Sequence, residues 1–123
     1  RYVESDVYAA DKVLPAGTFD LVYTGIGALC WLPRIEPWAH TVAALLKPGG
    51  RLVFVTCSLL PEEGEGQLAS VLARHPSLTV ERAALPGVED AWWTEAGGLR
   101  LRPDYWADTG GMDGFFMVRL RKA

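Results

Sequence analysis

A chain of 123 residues that is 50% hydrophobic and 22% charged, with a formal net charge of −3, reads as one globular domain with a real core. No apolar run approaches the roughly 18 residues of a membrane span and no signal-peptide pattern opens the sequence, so a cytoplasmic protein without a membrane partner is expected. Two cysteines, Cys30 and Cys57, are too few for a disulfide framework, and no Cys-x-x-Cys or His-x-x-x-His pairing suggests a metal site.

In chain order, residues 1–7 suit a short strand ending at Ser5-Asp6, followed by a loop or short helix through Pro15-Ala16-Gly17. Phe19-Asp20-Leu21-Val22-Tyr23 has the apolar run of a buried parallel strand, broken by Gly25-Ile26-Gly27. Ile35, Trp38, Ala39, Val42, Leu45 and Leu46 have the spacing of one helical face. Lys47-Pro48-Gly49-Gly50 then reads as the helix stop and a turn. A strand is expected over residues 51–55 and a helix over about 61–75, its first turns weakened by Gly64 and Gly66. Leu68, Val71 and Leu72 mark the inner face of that helix.

Residues 78–82 form the next expected strand. Residues 84–111, rich in Gly, Pro, Trp and Asp, read as a long loop with one strand at 99–102. Trp92-Trp93 in that loop suits either a substrate lid or an anchoring plug. Residues 115–121 close the chain as a strand whose apolar and basic alternation fits an edge. The fold class is therefore α/β, with right-handed crossovers, a mostly parallel sheet and an antiparallel last strand.

The acidic balance bears on partners, because a free-standing nucleic-acid binder usually shows a basic excess. Here the basic cluster is Arg119-Leu120-Arg121-Lys122, helped by Arg100 and Arg102, and it reads as a solvated edge. His40 and His75 fall on the expected helices, in surface or capping positions.

The chemistry-bearing triplet is Thr56-Cys57-Ser58. It sits just past the carboxyl end of an expected strand and before Leu59-Leu60-Pro61-Glu62-Glu63, where proline and two acids suit a first helical turn. Residues at such strand ends face the ligand crevice of an open α/β sheet. A thiol there could be a nucleophile, or it could be a small buried strand cysteine. A following helix N-terminus favours the thiolate, whereas Glu62 and Glu63 oppose it.

Phe19 to Tyr23, the amphipathic helix, Leu45-Leu46-Lys47-Pro48-Gly49-Gly50 and Arg51-Leu52-Val53-Phe54 together resemble the centre of the class I S-adenosylmethionine-dependent methyltransferases. The resemblance implies a Rossmann-like sheet, of which this run covers strands four and five. Thr56-Cys57-Ser58-Leu59-Leu60-Pro61-Glu62-Glu63, Arg74-His75-Pro76 and Gly110-Gly111-Met112-Asp113-Gly114-Phe115-Phe116 are similar, more narrowly, to the RsmB/Sun family of RNA cytosine-5 methyltransferases. That second likeness runs from about residue 47 to 122.

Upstream the likeness changes. The RsmB/Sun pattern Asp-x-Pro-Cys would place its aspartate on Gly25 and its cysteine on Ala28, with Cys30 two residues later beside Trp31. Tyr23-Thr24-Gly25-Ile26-Gly27 and Ala28-Leu29-Cys30-Trp31-Leu32-Pro33 instead resemble class I methyltransferases of the small-molecule type. The family's glycine-rich cofactor loop and the acidic ribose ligand are absent, so the N-terminal strands are expected to be missing and the chain to begin at the third.

The resemblance implies S-adenosylmethionine as cofactor, with Asp6 on the adenine amino group and Thr24 and Gly25 beside the methionine part. It implies Cys57 as the nucleophile that adds to carbon 6 of cytosine, Thr56 and Ser58 beside the substrate, and Phe115 stacking on a base. The plainer readings are a solvated loop acid for Asp6, a buried thiol for Cys30 and core packing for Phe115 and Phe116. Ribosomal RNA is the best-marked substrate. Two rivals stand beside it: a small-molecule O- or N-methyltransferase, for which Cys57 is dispensable, and a non-catalytic domain that associates with another chain, as in a homo-oligomer, through an exposed sheet edge.

Overall fold

The computed structural model describes residues 2–24 and 29–123. Five strands form one sheet in the order β1-β2-β5-β3, with β4 also pairing with β5. They are β1 (Phe19–Leu21), β2 (Leu46–Thr56), β3 (Leu78–Val80), β4 (Leu99–Leu101) and β5 (Phe115–Lys122), interleaved with helices α1 (Ala10–Val13), α2 (Ile35–Leu45) and α3 (Glu65–Arg74). β1 and β2 are parallel, and β4 and β5 are antiparallel. The expected α/β class holds. Two compact units divide the chain, residues 1–52 with 121–123 and residues 53–120.

In the first unit α2 is the principal buried element. Trp38, Ala39, Val42 and Leu45 are buried along it, as the sequence spacing implied, and Ala43 is buried beside them. Pro37 lies in its first turn, where a backbone N–H has no intrahelical partner to lose. The helix ends at Leu45, and Leu46 is already extended and fully buried. Lys47-Pro48-Gly49-Gly50 therefore belongs to β2 rather than preceding it. From Phe19 to Leu21 the partner register advances from Leu46 to Arg51, so the extra residues bulge out of the ladder. Gly49 takes φ +77° there, and a side chain at Gly50 would press on the Lys47 carbonyl at 2.8 Å.

The strand expected over residues 1–7 does not form. Tyr2, Val3 and Val7 suit a strand by type, but all are exposed and residues 2–6 carry no regular structure. Apolar β-formers without a packing face or a ladder partner have nothing to offset chain entropy. Asp6 instead caps a 3-10 turn over Val7–Ala9, its carboxylate accepting from the Tyr8 N–H at 2.8 Å. That turn is tied to α2, because the Thr41 hydroxyl donates to the Tyr8 carbonyl at 3.1 Å.

β5 is not the solvated edge that its basic residues suggested. It lies inside the strand order, with Phe116, Val118 and Leu120 buried in alternation. Two of its basic residues are used internally. Lys122 Nζ donates to the carbonyls of Ala43 (2.7 Å) and Leu46 (2.8 Å), closing the C-terminal end of α2 where a cation is favoured. Arg119 pairs with Glu81 at 2.9 Å.

The second unit is built around Phe116, which is wholly buried, with Leu68, Leu78, Trp92, Leu99, Val118 and Leu120. The helix expected over 61–75 divides into a 3-10 turn, Pro61–Glu63, and α3, separated by Gly64 at φ −113°, ψ −88°. The long loop is anchored by Trp92, which stacks on Tyr105 (centroids 4.6 Å apart) and meets the edge of Trp106 (5.5 Å). Trp92 is thus a plug, not a lid.

Candidate functional site

β2 ends at Thr56, and the hydroxyls of Thr56 and Ser58 shape the loop that follows. The Ser58 N–H donates to Thr56 Oγ1 (3.2 Å) and the Leu60 N–H donates to Ser58 Oγ (3.1 Å). These two local bonds satisfy backbone donors that have left the strand ladder. Thr56 and Ser58, expected beside the substrate, thereby shape the loop. Cys57 stands between them, exposed and outside any disulfide. Its reading as a small buried hydrophobe is overturned.

Arg100 joins this loop to α3. Its Nη1 donates to the Ser58 carbonyl (2.6 Å), while Nε and Nη2 donate to the two carboxylate oxygens of Glu65 (3.1 and 2.6 Å). The guanidinium lies 5.1 Å from the centre of the Phe116 ring, and the side chain is only 14% exposed. Its hydrogen bonds hold the Glu65 carboxyl below the usual glutamate value, outweighing the opposing effect of burial. Gly64 makes room for this arrangement. A Cβ there would stand 2.5 Å from Arg100 Nη2 and 2.9 Å from Phe116 Cγ.

The start of β5 closes on the same loop, since a Cβ on Gly114 would collide with Leu59 Cδ2. The next residue, Phe115, is half-buried opposite Leu101, and Phe116 is opposite Arg100. Phe116 is therefore core packing, as its plainer reading held, while Phe115 is only partly buried. Sequence reasoning missed Arg100, Glu65 and Gly64 as a group. By sequence Arg100 groups with a solvated basic edge, and no local signal links residues 35 and 42 positions apart.

Of the candidate cofactor contacts, Asp6 is exposed and uses one carboxylate oxygen as the cap described above. Thr24 is half-buried and its hydroxyl accepts from Trp38 Nε1 at 3.2 Å. Gly25 lies outside the described residues, as do Ala28 and the side chain of Cys30. Among the described residues no group of His, Cys, Asp and Glu could hold a metal ion, and no helix is long and apolar enough to cross a membrane. An open groove of about 650 Å³ lined by Arg82, Leu85, Pro86, Val88, Asp90 and Trp93 contains none of the expected site residues.

A family model for the 16S rRNA methyltransferases RsmB/F matches residues 38–121, a span that includes Cys57, Arg100 and Phe115. The chain belongs to the RsmB/F methyltransferase family. Ribosomal RNA small subunit methyltransferase B of Klebsiella pneumoniae is 38% identical over 88 residues, covering 69% of this chain and 16% of the relative. The corresponding enzyme of Thermus thermophilus is 38% identical over 83 residues, covering 68% of the chain and 19% of its own length. This RsmB/F chain thus spans less than a fifth of either relative.

The fold extends beyond the family match. NSun6 from Pyrococcus horikoshii, solved with SFG, superposes with a TM-score of 0.67 at 21% identity, covering 98% of this chain and 34% of that one. A methyltransferase homologue from the same organism gives 0.56 at 28% identity, over 71% and 29%. The Rossmann-like methyltransferase fold anticipated from sequence is the fold of this RsmB/F chain. Asp6 and Thr24 lie upstream of the matched residues, and the cysteine loop lies within them.

Proposed function

We propose that this RsmB/F chain takes part in S-adenosylmethionine-dependent methylation of carbon 5 of cytosine in ribosomal RNA, with Cys57 as the nucleophile. The observation that carries the reading is the thiol itself: exposed, just past the carboxyl end of a strand that pairs in parallel with β1, within the family-matched segment. Matched relatives named as rRNA methyltransferases favour RNA over a small acceptor.

Carbon 5 of cytosine is too weak a nucleophile to accept a methyl group unaided. The Cys57 thiolate forms a bond to carbon 6, which makes carbon 5 electron-rich. After carbon 5 has been alkylated and has lost its proton to a base, the C–S bond breaks and the thiolate leaves unchanged. Thr56 and Ser58 hold the loop from which Cys57 attacks, and the partly buried Phe115 is the candidate for stacking on a base.

The residues present fit part of the cofactor. Asp6 retains one carboxylate oxygen for an adenine amino group, and Thr24, which accepts from Trp38, still has its own hydrogen to donate. Bound S-adenosylmethionine supplies an electrophilic methyl group. Calorimetry with S-adenosylmethionine, followed by methyl transfer to a cytosine-containing RNA by wild type and Cys57→Ala, tests the reading. Binding, transfer, and loss of transfer in the variant are expected. Absence of binding at millimolar cofactor, or a fully active Cys57→Ala, would sink it.

A further inference from the structure

The cysteine loop has little apolar anchorage. Cys57 is exposed, and Leu59 and Leu60 are 54% and 57% exposed. The Thr56 and Ser58 hydroxyl bonds set the internal shape of the turn, but both are made between residues two apart and cannot fasten it to anything else. Leu59 touches the start of β5, yet more than half of it faces solvent. A strong attachment to the rest of the unit is the bond from Arg100 to the carbonyl of Ser58, the residue next to the thiol.

Arg100 is itself immobilised. Its backbone pairs opposite Phe116, its fork is filled by both Glu65 oxygens, and its plane lies near the Phe116 ring. With Glu65 compensating its charge, Arg100 is poorly suited to hold a phosphate and well suited to act as a rigid post.

We propose that Arg100 is the positioning residue of the cysteine loop: through the Ser58 carbonyl it fixes where the Cys57 thiol stands for attack on the base. The proposal rests on Cys57 being the nucleophile. Planar, bidentate engagement of Glu65 together with a third bond to Ser58 requires a guanidinium, so lysine is an inadequate substitute.

The test uses the full chain as wild type, Arg100→Lys, Arg100→Ala and, as a control for losing an arginine elsewhere in the same unit, Arg82→Ala. Amide hydrogen exchange is followed at Ser58, Leu60 and, as an internal reference, Leu68. Methyl transfer is measured with S-adenosylmethionine and a cytosine-containing RNA. In Arg100→Lys, exchange at Ser58 and Leu60 should rise about tenfold while Leu68 is unchanged. Its kcat should fall about tenfold with KM within about twofold, the signature of misplaced chemistry rather than lost binding. Arg100→Ala should exaggerate both effects, and Arg82→Ala should leave loop exchange as in wild type. If Arg100→Ala does not fold, the lysine variant carries the measurement. Unchanged loop exchange in Arg100→Lys, or a loosened loop with undiminished kcat, overturns the proposal. An inert wild type overturns the methyl-transfer reading instead, and the exchange measurement alone then decides whether Arg100 holds the loop.

Discussion

The ends of β1 and β2 both present candidate site residues, and the two units that contain them treat those residues differently. In the first unit the side chains named for the cofactor already have structural duties: Thr24 receives the Trp38 indole and Asp6 caps a turn. In the second, neighbours do the structural work around Cys57, with Thr56 and Ser58 closing the backbone and Arg100 holding the loop. A side chain at a strand end is freest for chemistry when adjacent residues satisfy the backbone on its behalf. By that measure the Cys57 thiol is the less committed of the candidate groups, while Thr24 and Asp6 are already engaged in structural contacts.

The sharpest way to break this contrast is Cys57→Ala, which should lower methyl transfer to cytosine-containing RNA by roughly a thousandfold or more while leaving thermal stability near wild type. Retained transfer would return the thiol to the structural role that its exposure argues against. Next in size, Phe116→Ala removes the wholly buried ring at the centre of the second unit. Chemical denaturation should show a loss of about 3–5 kcal/mol. A much smaller loss would mean that the cysteine loop stands on a softer base than its packing implies.

In the first unit, Lys122→Met removes a cation from two carbonyls near the end of α2 and should cost about 1.5–3 kcal/mol by the same measurement. Thr24→Val leaves the Trp38 N–H without its acceptor. It should cost about 1 kcal/mol and raise KM for S-adenosylmethionine a few-fold without abolishing turnover. If Thr24→Val instead stopped the reaction and Cys57→Ala did not, the contrast between the units would be reversed.

The smallest effect is acid dependence. Glu65 has its folded pKa depressed, chiefly by the Arg100 hydrogen bond, so its contribution to stability is present above the unfolded glutamate value of about 4.3 and is lost as pH falls through the folded value. Stability measured against pH should therefore fall more steeply below about pH 4 in wild type than in Glu65→Gln. Parallel curves would show that the pair adds no pH-dependent stability.

Much of this was legible in local pattern. The apolar spacing of residues 35–45 produced a helix, the run before Thr56 produced a strand, and the cysteine at its end is exposed where the chemistry would use it. The misreadings share one cause. Tyr2 and Val3 have strand chemistry but no ladder partner, so no strand forms. Arg119 and Lys122 looked like solvent-facing charges on an edge, yet β5 lies inside the sheet order and both have partners distant in sequence. Gly64 has the local character of a weak helical residue, and it interrupts the helix beside Arg100 and Phe116.

By itself the sequence determined the periodicities, the order of the elements and the place of a thiol after a strand, because these depend on neighbours a few residues apart. Only the tertiary structure decided that Arg100 reaches Ser58 and Glu65, and that Cys57 is left exposed while the hydroxyls on either side of it hold the backbone. Those contacts depend on which strands pair and in what register, and a charged side chain looks the same in sequence whether it meets water or a carboxylate 35 residues away.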